Sequence, residues 1–124
     1  MSKCSPVRHD KELRKRVKTL VGDLVELFEL GWLEIQIRFD EGNTGDAVCK
    51  SQCNWEYRRV VMNWNLQEVA HLGTDELLLV AVHELIHPLI EPLWDSHPDR
   101  GSESVTKVGE LSTENVARVI WALL

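Results

Sequence analysis

Ten consecutive residues, Leu77 to Ile86, carry only two polar side chains, His83 and Glu84, and no other stretch constrains the fold as much. Gly73-Thr74 precedes the run, with Thr74 suited to a helix N-cap and Asp75 and Glu76 suited to the positive end of a helix dipole. A helix this apolar has to be covered on most sides, so the rest of the chain must wrap around it. Burying a carboxylate and an imidazole inside it without compensation costs several kcal/mol.

His87 completes the pattern His83-Glu84-Leu85-Ile86-His87. Residues four apart lie one turn along the same helix face, so both imidazoles can point at one ion. Zinc accepts neutral imidazole nitrogens, and three protein ligands with a water make a catalytic site. Glu84, one residue past the first histidine, is angled toward that water, where it can act as a base. Pro88 and Pro92 follow, and a residue before proline disfavours helical geometry, so the chain is expected to bend or leave the helix after His87.

The other elements follow from periodicity. Leu13, Val17, Leu20, Val21, Leu24, Leu27 and Phe28 have helical spacing, predicting a helix from about Asp10 to Leu30 with Gly31 as its cap. From Leu33 to Phe39 apolar and polar residues alternate, as in a half-buried strand. Residues 40–46 read as a turn or loop, 47–55 and 59–64 as two further strands joined near Glu56-Tyr57-Arg58. A loop from Trp94 to Gly101 leads to a last helix over about Glu103–Leu123. The whole predicts one α+β domain spanning residues 1–124: an N-terminal helix, a small, mainly antiparallel sheet of about three strands, the apolar helix and a C-terminal helix.

Three residues downstream are candidates for a third metal ligand: Glu110, Glu114 and His97. Glu110 and Glu114 are four apart on one helix face, so one can bind the metal while the other orients a ligand histidine. Ala117 and Trp121 extend the Glu114 side as an apolar patch suited to docking on the apolar helix, which favours Glu114. Leu93 stands where the longer His-x-x-Gly-x-x-His pattern would need its last histidine, which excludes that subclass.

Composition narrows the remaining classes. The net charge is −6, and residues 1–18 contribute +5 from seven Lys/Arg against Asp10 and Glu12, leaving −11 for the rest. So acidic a body argues against nucleic-acid binding, and the basic run reads as a solvated helix face. No segment has the roughly 20 apolar residues of a membrane span, and the N-terminal stretch has no apolar signal region, so a cytoplasmic location is expected. Cys4, Cys49 and Cys53 are an odd number and do not suggest a disulfide framework; Cys49 and Cys53 share a face if their segment is a strand.

On His83-Glu84-Leu85-Ile86-His87, the flanking leucine-rich run, Glu91-Pro92-Leu93 and Glu114-x-Val116-x-Arg118, the chain resembles the gluzincin side of the zincin metallopeptidases. More narrowly it is similar to small phage- and prophage-encoded metallopeptidases and to minigluzincins, over about residues 32–124 in order of elements. The resemblance implies a zincin-like fold and a zinc-dependent peptidase acting on a peptide or protein, with ligands at His83, His87 and Glu114 and a base at Glu84. A rival resemblance is to SprT-like zincins, in which His97 would be the third ligand; a zinc-binding regulatory or interaction domain without activity is the other alternative. Val60-Val61-Met62-Asn63 is expected at the sheet edge, where a substrate strand could add, with Tyr57 or His97 as an oxyanion donor.

Overall fold

The computed structural model describes residues 6–39, 47–54, 56–95, 98–99 and 101–124. Helix α1 (Pro6–Leu27) buries Leu13, Val17, Val21 and Leu24, the stripe its spacing predicts. It ends earlier than the sequence suggests, and Gly31 is not its cap. Glu29 takes a left-handed backbone at φ 55°, the Leu30 N–H reaches the Val25 carbonyl at 2.9 Å, and the Glu29 N–H reaches Glu26 at 3.2 Å. That is a Schellman ending with glutamate where glycine is usual. An L-residue there carries about 1–2 kcal/mol of steric cost, against about 0.5–1 kcal/mol of extra chain entropy for glycine. Glu29→Gly is therefore expected to stabilise the protein by about 0.5–1 kcal/mol, seen as a higher urea midpoint at unchanged slope.

Three strands follow: β1 (Glu34–Phe39), β2 (Cys49–Asn54) and β3 (Arg59–Trp64). Their order is β1-β3-β2, with β1 parallel and β2 antiparallel to β3. The sheet is thus mixed rather than mainly antiparallel, and Val60–Asn63 lies in the central strand rather than at an edge. The physical reason is polarity. Val60, Met62 and Trp64 are fully buried and can be covered only from the middle, whereas Cys-Lys-Ser-Gln-Cys-Asn tolerates an edge. A proline at Met62 would therefore break the ladder instead of reporting on substrate.

Asn65 then caps a short helix, α2 (Leu66–Val69), that was not anticipated, its side chain accepting from the Gln67 and Glu68 N–H groups. Helix α3 (Thr74–Asp95) is the apolar helix; its first bond runs from the Leu77 N–H to the Gly73 carbonyl, so Gly73 rather than Thr74 occupies the cap. Leu77, Ala81, Val82 and Leu85 join the inner face of β3 and the stripe of α1 in one core. The helix does not stop at Pro88. Pro88 is itself fully buried, and the Glu84 carbonyl, which a residue-88 N–H would normally serve, has the Ser51 hydroxyl 3.5 Å away.

Helix α4 (Glu103–Leu123), as the sequence predicts, lies along α3. Gly109, Thr113 and Ala117 form its buried stripe, and small residues there allow close approach. The Trp121 indole N–H donates to the Asp75 carbonyl at 3.2 Å, so the two helices run antiparallel.

Candidate metal centre

The antiparallel pairing of α3 and α4 sets what faces the two histidines. Glu110 and Glu114 each follow a residue of the buried stripe, so both carboxylates turn toward His83 and His87, whose ring centroids are 5.6 Å apart. Glu110 Oε1 is 3.2 Å from His87 Nε2, and ligand atoms of His83, His87 and Glu110 all lie within 4.8 Å of one another. Glu114 is placed differently. Its Oε2 is 2.8 Å from His83 Nδ1 and its Oε1 2.7 Å from Arg118 Nε.

This geometry favours Glu110 over Glu114 as the third ligand, opposite to the sequence-based preference. A carboxylate only accepts, so Nδ1 of His83 donates to Glu114, and the Nε2 lone pair is left for a metal. His87 has a similar support: its Nδ1 is 3.4 Å from Glu91 Oε2, one turn along α3. Glu91 was not singled out for this role, although its spacing of four from His87 was the signal available. His97 lies outside the described residues.

The donor set fits a cation. A neutral imidazole carries one N–H and cannot donate to both Glu91 and Glu110, so the His87–Glu110 contact calls for a second proton or a metal ion. Two ligands on one tetrahedral zinc, with bonds of about 2.0–2.1 Å, stand about 3.3 Å apart. The observed 3.2 Å between His87 Nε2 and Glu110 Oε1 is that spacing.

Glu84 sits beside this group and is buried. Burial pushes its pKa up, as does neighbouring Glu110, while a hydrogen bond from Ser51 and the adjacent imidazoles of His83 and His87 pull it down. Ser51 Oγ donates to Glu84 Oε2 at 2.6 Å. Sequence reasoning missed Ser51, because nothing local links it to a residue so distant in the chain. A cleft of about 370 Å³ opens between β2 and the histidines, lined by Lys50, Ser51 and Gln52 on one side and His83, Glu84, His87 and Glu110 on the other. An apolar recess of about 250 Å³ adjoins it, between Val48, Leu79 and Val80.

Cys49 and Cys53 share the inner face of β2 with Ser51, and both are free thiols. Burial, helped by the Glu84 carboxylate, holds the Cys49 thiol far above its ordinary pKa, so it is neutral and unreactive. Cys4 is outside the described residues. Tyr57 is mostly exposed in the β2–β3 turn, stacked with Arg59, and does not line the cleft. Among the described residues no helix is long and apolar enough to cross a membrane. No family model matches the chain, and no curated protein or solved structure matches it.

Proposed function

We propose that this chain is a zinc-dependent metallopeptidase in which His83, His87 and Glu110 hold the metal and Glu84 is the general base. The observation that carries this reading is the convergence of three ligand groups beside a buried carboxylate that is not one of them. Two imidazoles and a carboxylate suit zinc, which when bound supplies Lewis acidity to polarise a carbonyl and acidify water. Glu84 takes the proton of the attacking water and passes it to the leaving nitrogen. Glu114 and Glu91 hold the two histidines in the tautomer that leaves Nε2 free. A purely structural zinc site would have no use for Glu84, which favours catalysis over a binding-only role.

The peptide is assigned to the outer edge of β2. Asn65 N–H bonds the Val48 carbonyl, and antiparallel pairs alternate, so Lys50, Gln52 and Asn54 turn their backbone groups to β3. Those of Cys49, Ser51 and Cys53 turn outward, beside the cleft, where an extended chain could add as one more strand.

The purified protein is expected to take up about one equivalent of zinc and to cleave members of a quenched fluorescent peptide library. A chelator should abolish cleavage and added zinc restore it. Zinc uptake without cleavage of any peptide would reduce the site to a binding centre, and failure to take up zinc would sink the whole reading.

A further inference from the structure

We infer that Ser51 is a positioning residue that fixes the carboxylate of Glu84 in the cleft, an assignment that rests on Glu84 acting as the base. Among the described residues, Ser51 is the one side chain that hydrogen bonds this carboxylate, at 2.6 Å. A glutamate side chain has three rotatable bonds, whereas a serine hydroxyl is one bond from a backbone held by the β2–β3 ladder, where Ser51 pairs with Met62. Anchoring the flexible group to the stiff one selects a single rotamer of the base. The hydroxyl has one proton, which goes to Oε2 and leaves the other carboxylate oxygen for water.

Two further features make Ser51 more than a packing neighbour. Its oxygen also lies 3.5 Å from the Glu84 carbonyl, the group that Pro88 leaves without a helical donor. The hydroxyl thus stands at both the backbone and the side chain of Glu84, at the turn where α3 is weakest. Its own N–H and C=O face the open edge of β2, by the alternation that Val48 and Asn65 establish. One residue therefore ties the base to the strand on which the scissile bond is to be laid, so an error in one is shared by the other.

The test compares Ser51→Thr, Ser51→Val and Ser51→Ala. Threonine and valine have nearly the same shape and both suit a strand, but only threonine keeps the hydroxyl. The valine and alanine variants are expected to lose on the order of 100-fold in kcat, the effect of a misplaced catalytic group, with KM and zinc affinity unchanged. Threonine should retain most of the activity. A second readout needs no activity: in thermal unfolding, Ser51→Val should lower Tm by about 5–10 °C in the parent, but not in a Glu84→Leu background, which has no carboxylate to anchor. Equal kcat for the threonine and valine variants, or loss of zinc from the valine variant, would overturn the assignment. If the parent cleaves no peptide, the peptidase reading fails by itself; the unfolding cycle then decides, and an equal Tm shift in both backgrounds would show that Ser51 does not hold Glu84.

Discussion

Glu110→Ala is expected to empty the metal centre, with zinc affinity falling more than about 100-fold, beyond the range typical for residues that only orient a ligand. Its Oε1 is the oxygen beside His87 Nε2, and no other carboxylate takes part in the His83–His87 group among the described residues. Glu114→Ala should cost less, about 10–100-fold, because it removes the support of His83 Nδ1 and leaves the three ligands in place. Competition against a chromophoric chelator measures both on one scale. Glu110 is half-exposed at the cleft, so its removal should hardly affect folding, and a zinc loss is readable as such. Should Glu114→Ala lose more zinc than Glu110→Ala, the two roles are exchanged and Glu114 is the ligand.

Glu84→Gln should keep zinc and lose turnover, with kcat down about 10²–10⁴-fold, the usual contribution of a general base. Glutamine has nearly the size of glutamate and retains an oxygen to accept from Ser51, so the change isolates the ability to take a proton. His83→Ala and His87→Ala, by contrast, should lose zinc and activity together. Zinc content by elemental analysis, set beside cleavage rates, separates these two patterns. A Glu84→Gln protein that holds zinc and cleaves as fast as the parent would remove Glu84 from the mechanism.

The parts of this protein that were legible in its sequence are those set by short-range geometry. Leu13, Val17, Val21 and Leu24 repeat with the helical period, and that stripe is buried in α1. The alternation ending at Phe39 is β1, and the segment from Glu103 to Leu123 is one helix, both by local pattern alone. His83 and His87 share a face because four residues make about one helical turn, whatever surrounds them. The same arithmetic placed Glu110 and Glu114 together on α4, but could not rank them.

What ranked them was the packing of α4 on α3, which sets Glu110 at His87 and Glu114 at His83. Both glutamates have the same spacing from the buried stripe, so only the relative position of two helices distinguishes them. The strand order was likewise a global outcome. Local patterns show that 59–64 is a strand, but its place between β1 and β2 follows from which strand's side chains most need cover, a comparison over the whole sheet. Pro88 reads as a helix breaker because its penalty is local; the helix continues because burial of the ring and a serine from another element offset that penalty. Ser51 meets Glu84 only through the sheet. The sequence by itself determined the elements and the two histidines with their glutamate, since those rest on bonds and contacts within one turn or one strand. The tertiary structure alone decided the third ligand, the anchor of the base and the open edge, since each is a contact between residues whose separation along the chain carries no information about their distance in space.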